Sequence, residues 1–302
     1  MSTPYHVAVI GLGAMGMGAA RSCLRAGLTT YGIDLSEQAR SQLQQAGAAA
    51  VMADARPLAE TLDAVLLLVV NATQVRRILL GEEGLARHLK PGTAIMVSST
   101  IAAEEASALA AELAQLGLPM LDAPVSGGAI KADAGEMTVM AAGSDAAFDK
   151  LAPVLDAVAG KLYRVGSEPG QGSTVKIIHQ LLAGVHIAVA AEAMALASRA
   201  GVSLDLMYDV VTHAAGNSWM FENRMPRVLA GDYQARSAVD IFVKDLTLVA
   251  DTAKALRFPL PLASTALNMF LDASNAGHGQ EDDSAVIKTF SGITLPGQED
   301  QP

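Results

Sequence analysis

Cysteine is nearly absent from this 302-residue chain: Cys23 stands alone, so no internal disulfide can form. A chain without disulfides fits a reducing compartment. Basic residues are also scarce, 21 against 31 acidic ones, giving a formal charge of −10. An acidic chain repels phosphate backbones and anionic lipid, so neither nucleic acid nor a membrane surface is the expected partner. Metal-binding spacings are missing too, with no HxH, HExxH or CxxC pattern. His179 and His186 share a helix face but lie roughly 10 Å apart along its axis. Zn–N bonds of about 2 Å cannot span that distance with one ion, so no metal is expected. The opening residues Met1 to His6 lack the charged start and cleavage site of a secretory signal. The expected location is the cytoplasm. The longest apolar stretch, Leu181 to Ser198, is broken by His186 and Glu192 and is rich in alanine. It reads as a buried helix and not as a membrane span. The thirteen methionines read as core filler, and Cys23 as an inert residue in a packed helix.

What is present is ample apolar residue, 51% against 17% charged, enough for a large core in one or two domains. Val7 to Ile10 is a short buried-strand run. Gly11-Leu12-Gly13-Ala14-Met15-Gly16 follows, then a helical pattern that Gly27 stops, then a strand run from Thr29 to Ile33 ending in Asp34. Strand, glycine turn, helix, strand and acid, in that order, form the dinucleotide fingerprint. Gly11 permits the tight turn, Gly13 lets backbone approach a pyrophosphate, and Gly16 lets helix and strand pack closely. Asp34 stands where it can accept hydrogen bonds from the adenosine ribose, which favours NAD.

The alternation of strand and helix continues. Ser36 can cap a helix to Gln45. Ala64 to Val70 is a wholly apolar run, as a central parallel strand requires, and ends at Asn71-Ala72-Thr73. Thr93 to Val97 ends at Ser98-Ser99-Thr100. Val70, Asn71 and Thr100 thus fall at the carboxyl edge of the sheet, where open α/β sheets bind ligands; each polar residue there can equally cap a helix. A helix over Ala102 to Leu116 and a strand at Met120-Leu121 lead to Asp122-Ala-Pro-Val-Ser126-Gly127-Gly128. The serine and two glycines offer a hydroxyl and exposed N–H groups, a cradle for a carboxylate or an ordinary loop. Strands over Thr138 to Ala142 and Lys161 to Val165, separated by a helix, close this half.

From Gly170-Gln-Gly-Ser-Thr-Val-Lys176 onward the pattern is helical: to about Arg199, then 204–213, 220–229, 239–256, 263–276 and 284–290. The tail after Pro296 is polar and reads as loose. Lys176, His179 and Gln180 share one face of an otherwise apolar helix. A lone lysine there is commonly a snorkelling one. Three polar groups beside a glycine-flanked bend point instead to a site at a domain junction. The expected fold is α/β: a Rossmann-type parallel-sheet domain over 1–168, a long linking helix, and an all-α domain over 169–302.

These motifs together resemble the β-hydroxyacid dehydrogenases, relatives of 6-phosphogluconate dehydrogenase, along nearly the whole chain. Gly11 to Gly16 is similar to the family's nucleotide motif, Asp122 to Gly128 to its substrate-binding motif, and Gly170 to Lys176 to its catalytic motif. Lys244-Asp245-Leu246 resembles the segment near cofactor and substrate, and Asp282 and Ser284 fit the C-terminal pattern. The resemblance implies NAD-dependent oxidation of a small hydroxy acid, with Lys176 as the acid–base group. It implies substrate contacts from Ser126, Gly127, Gly128, His179, Gln180, Asn217 and Lys244, with Lys244 also near the cofactor. The stretch from Ala214 to Arg224, with His179-Gln180, resembles members of the family that act on a four-carbon sugar acid, and that resemblance implies such a substrate. Most of the family carries asparagine where Gln180 stands, one methylene shorter. A homodimer or homotetramer is also implied. Other hydroxyacid dehydrogenases or a tartronate semialdehyde reductase are the alternatives within the family. An imine reductase or a silent nucleotide sensor would not be expected to keep Lys176.

Overall fold

A computed structural model of the chain describes residues 4–296. The polar tail after Pro296 lies outside the described residues. The chain forms two compact units, Met1–Lys176 and Ile177–Pro302.

The first unit is built on a nine-stranded sheet. Its parallel part consists of β1 (His6–Ile10), β2 (Thr29–Ile33), β3 (Ala50–Met52), β4 (Ala64–Leu67), β5 (Ala94–Val97) and β6 (Met120–Asp122). Their spatial order is β3-β2-β1-β4-β5-β6. The order reverses between β1 and β4, so a crevice opens past the carboxyl ends of these two strands. The wholly apolar strand runs follow from burial on both faces. Val7 and Val9 of β1, Leu66 of β4 and Met96 of β5 pack into one core. Ala8, Ile10, Val65, Leu67, Ile95 and Val97, alternating with them, pack into the other.

Helices α1 (Ala14–Arg25), α2 (Glu37–Gln45), α3 (Ala72–Leu80) and α4 (Ala103–Gln115) connect these strands. Ser36 caps α2 by accepting the Ala39 N–H at 3.2 Å, as its position suggested. Beyond β6 the sheet is mixed. The short β7 (Val125–Ser126) and the longer β8 (Met137–Ala142) are antiparallel partners, and β8 also pairs antiparallel with β6. Between them lies α5 (Gly128–Ala134); α6 (Asp145–Val158) then leads to β9 (Ala159–Gly166), parallel to β8.

The helix α7 (Gln171–Arg199) begins in the first unit and continues as the axis of the second. By length and composition it is apolar enough to cross a membrane. In the second unit its Ile187, Ala191 and Met194 are fully buried in an all-helical core. That core is completed by α8 (Leu204–Thr212), α9 (Trp219–Leu229), α10 (Val239–Ala255), α11 (Pro261–Ala273) and a 3-10 turn over Asp283–Thr289. Phe242 and Phe270 stack across it with ring centroids 5.2 Å apart. Gly184 lets α7 and α10 touch: a Cβ there would fall 2.8 Å from the Leu246 side chain.

Asp282 and Asp283 fasten the last turn. Asp283 is fully buried and receives both Nε and Nη2 of Arg224, at 2.6 and 2.8 Å. Asp282 accepts the Ser284 hydroxyl at 2.7 Å and pairs with Arg227. A bidentate guanidinium–carboxylate pair is the geometry in which a buried charge is best satisfied.

Candidate active site

The glycine turn at the end of β1 has the shape a dinucleotide needs. Gly11 has φ +89°, and a Cβ on it would lie 2.8 Å from the Leu68 carbonyl oxygen. A Cβ on Gly16 would lie 1.7 Å from the Gly11 carbonyl, so the first turn of α1 closes over β1 only with hydrogen there. A Cβ on Gly13 would meet nothing within 4 Å. Packing therefore does not explain that glycine; the space before the helix does. No side chain caps α1, and no acid lies in its first turn. The N–H groups at this end of Ala14, Met15 and Gly16 have the character of an anion site, and the residues fit a pyrophosphate.

Asp34 ends β2 beside the turn. Its carboxylate accepts the Leu12 N–H at 2.6 Å and the Ser36 N–H at 2.7 Å. Each oxygen has a second acceptor position, which suits ribose hydroxyls. One residue here was missed in the sequence. Arg40 donates to the carbonyls of Asp34 and Leu35, at 2.7 and 2.9 Å, and so stiffens the same turn. It lies one helical turn into α2, where a solvated surface arginine is the ordinary reading.

The other strand ends are partly taken up by structure. Asn71 caps α3 by accepting the Gln74 N–H at 2.9 Å, and Gln74 in return accepts the Val70 N–H at 2.8 Å. Ser98 donates to the Ala123 carbonyl at 2.9 Å, and Thr100 follows shortly after the end of β5. Ser126 is the last residue of β7, and Gly127 and Gly128 turn the chain into α5 with φ of +131° and +71°. The segment, which could be a carboxylate cradle or an ordinary loop, is a strand end followed directly by a helix start.

Asp122 is the residue whose importance the sequence concealed. Its fully buried carboxylate receives the N–H groups of Gly170 and Ser173, both at 2.8 Å, and the Ser173 hydroxyl at 2.7 Å. It therefore caps the start of α7 from β6, 51 residues earlier in sequence. Gly172 makes the approach possible, since a Cβ there would come within 2.4 Å of the Asp122 carbonyl and 2.6 Å of the Met140 carbonyl. One turn past Ser173 stands Lys176, only 6% exposed. Burial, the largest influence, raises the Asp122 carboxyl above its ordinary range, against the hydrogen bonds that favour its charged form.

In the second unit, Gln180 is buried one turn beyond Lys176 on the same helix. Its Nε2 donates to Asp245 at 2.5 Å, and its Oε1 lies 3.0 Å from Nδ1 of His179. The other oxygen of Asp245 is 2.6 Å from Nζ of Lys244. The expected substrate residues His179, Gln180 and Lys244 are thus joined through Asp245, which had not been singled out for such a role. Asn217 instead pairs through its amide with Glu222 at the start of α9. Among the described residues no group of three or more His, Cys, Asp or Glu is arranged to hold a metal.

Two family descriptions match in tandem. Residues 6–166 match the NAD-binding domain of 6-phosphogluconate dehydrogenase. Residues 170–290 match the NAD-binding domain of NADP-dependent 3-hydroxyisobutyrate dehydrogenase. This chain belongs to the β-hydroxyacid dehydrogenase family. Its glycine turn is accordingly that of an NAD-binding oxidoreductase domain. An L-threonate dehydrogenase of Escherichia coli O6:H1 is 73% identical over 293 residues, covering 97% of each chain. One from Pectobacterium atrosepticum is 68% identical over 301 residues, covering 100% of this chain and 99% of its own. A crystal structure described as 3-hydroxyisobutyrate dehydrogenase from Salmonella typhimurium is 70% identical. It superposes with a TM-score of 0.92 over 95% of this chain and 100% of its own.

Proposed function

We propose that this β-hydroxyacid dehydrogenase oxidises L-threonate to 2-dehydro-L-erythronate with NAD. The observation that carries the reading is the 73% identity, over 97% of both chains, to a relative named for that substrate. The name given to the Salmonella structure favours 3-hydroxyisobutyrate instead. That acid carries a methyl group where L-threonate carries hydroxyls. The polar pair His179 and Gln180 beside Lys176 suits hydroxyls, which can exchange hydrogen bonds with polar side chains as a methyl cannot. Purified protein incubated with NAD and a panel of three- and four-carbon hydroxy acids tests this. L-threonate should give the highest kcat/KM, and 3-hydroxyisobutyrate exceeding it would reject the assignment.

Oxidation of an alcohol removes a hydride from the carbinol carbon and a proton from its hydroxyl. NAD, when bound, supplies the hydride acceptor. Lys176, neutral when substrate arrives, accepts the proton; in reduction it returns it. Ser126, Gly127 and Gly128 hold the substrate carboxylate through a hydroxyl and backbone N–H groups. In this reading Gln180, His179 and Asn217 meet substrate hydroxyls, and Lys244 serves cofactor and substrate. Gly11 to Gly16 take the pyrophosphate, Asp34 takes the ribose, and Val70, Asn71 and Thr100 contact the cofactor along the strand ends. We divide the cofactor and helical domains at residues 168 and 169, in the gap between the two family matches.

The reading includes a homodimer or homotetramer. Ile178, Leu182, Val189 and Leu196 are all exposed on α7, at offsets of 4, 11 and 18 residues. Those offsets are close to whole turns of 3.6 residues, so the four form one apolar stripe. A second copy of the chain, related by two-fold symmetry, would cover it. The cytoplasm suits such an enzyme, whose one cysteine is buried and reduced.

A further inference from the structure

We propose that Asp245 is a positioning residue that, through Gln180, fixes which ring nitrogen of His179 carries the proton. A carboxylate paired with an ammonium group can only accept hydrogen bonds. Asp245 is 2% exposed, with one oxygen 2.6 Å from Lys244 and the other 2.5 Å from the Gln180 amide. The amide must therefore turn its NH2 toward Asp245 and its carbonyl the other way. That carbonyl oxygen faces Nδ1 of His179 at 3.0 Å. An oxygen acceptor demands a donor, so Nδ1 carries hydrogen. In the neutral ring, Nε2 is then an acceptor.

The chemical consequence is selectivity for a donor. A histidine held in this tautomer can accept a hydrogen bond from a substrate hydroxyl through Nε2. A methyl group in the same place offers it nothing. This half of the inference rests on the sugar-acid reading above; the tautomer itself does not.

Two measurements separate them. In protein labelled with 15N-histidine, long-range 1H–15N spectra report the proton on each ring nitrogen, with His179 assigned by loss of its signals in His179→Phe. His179 should show a protonated Nδ1 and a bare Nε2. Gln180→Met keeps the side-chain length and leaves the Lys244–Asp245 pair, and Asp245→Asn removes the fixed acceptor. In both variants the ring should shift toward the Nε2–H form. A wild-type ring protonated on Nε2, or on both nitrogens, overturns the proposal. So does an Nδ1–H ring that persists in both variants. The second measurement is a double-mutant cycle on turnover. His179→Phe and Asp245→Asn should each lower kcat/KM for L-threonate about tenfold relative to a monohydroxy acid, the size of one hydrogen bond. The double variant should be no worse than the worse single, because residues acting through one another are not additive. Independent losses that multiply overturn the positioning role. If the wild type oxidises no sugar acid, the functional reading fails, while the spectra still decide the tautomer.

Discussion

The Ser173 hydroxyl donates to the buried carboxylate of Asp122 at 2.7 Å, tying the first turn of α7 to the end of β6 one turn before Lys176. The lysine is aimed by this cap as much as by its own helix. Asp122→Ala strands three donors, and an unsatisfied buried donor costs about 1–3 kcal/mol. Urea midpoints should fall accordingly, and kcat should fall with them because Lys176 loses its fixed position. A variant as stable and active as wild type would show that the cap does not aim Lys176.

The same carboxyl predicts a pH effect of definite sign. Burial raises its folded-state value above 3.8. A group raised on folding stabilises the native state fully below its unfolded value and loses that contribution as pH climbs through the raised value. Asp122 therefore makes the protein less stable, not more, as pH rises from just above 3.8. In Asp122→Asn, which cannot titrate, this decline should vanish from a plot of urea midpoint against pH. A steeper decline in the variant would contradict the assignment.

Cys23 should be chemically silent. It is fully buried, and that burial pushes its thiol from 9.0 up to about 12. At pH 8 the thiolate fraction is then about one in ten thousand, and thiolate is the reactive form. A disulfide reagent should titrate no thiol in the native protein and one after unfolding. Rapid reaction of the native protein would place Cys23 in an open environment.

NAD should be preferred to NADP by at least about a hundredfold in kcat/KM. A 2′-phosphate would approach the Asp34 carboxylate, and unit charges about 4 Å apart near a protein surface repel by about 4 kcal/mol. Arg40 does not reverse this expectation, since it is directed at the carbonyls of Asp34 and Leu35. Equal efficiency with both cofactors would remove Asp34 as the selector.

Light scattering at micromolar concentration should give a multiple of the 31.1 kDa chain mass. Leu182→Glu, which puts a charge in the middle of the apolar stripe, should give the monomer. A wild-type monomer would mean that the stripe has no second copy to cover it.

Much of this was legible from local pattern. The run Val7 to Ile10, the glycine turn and Asp34 fall where the sequence puts them, because strand burial and a glycine turn are local demands. The long α7 ends at Arg199 as expected. Two short helices escaped. In α3, Asn71-Ala72-Thr73 read as a strand end whose polar residues could equally cap a helix, and Asn71 does cap one. In α5, Gly127 and Gly128 read as a carboxylate cradle or a loop, yet Gly128 begins a seven-residue helix that no side chain caps. The strand expected through Val70 stops at Leu67, where the chain turns to seat Gln74 on the Val70 N–H. The positioning acids were invisible for a different reason. Asp122 meets Ser173 across 51 residues and Asp245 meets Gln180 across 65. No spacing rule reads such pairs, and only the fold brings them together.

Replacement of Lys176 is the most direct measurement of the central claim. General acid–base groups contribute on the order of 10²–10⁴ in rate, so Lys176→Ala should lower kcat with L-threonate at least about a hundredfold. NAD affinity should change little, since Gly11, Gly13, Gly16 and Asp34 are untouched. Lys176→Arg should not restore turnover, because arginine keeps the charge but cannot release its proton at workable pH. A lysine that merely attracted the substrate carboxylate would be replaced well by arginine, with the loss confined to KM. Near wild-type kcat in either variant, in protein still folded by circular dichroism, would contradict the assignment of Lys176 as the proton-transfer group.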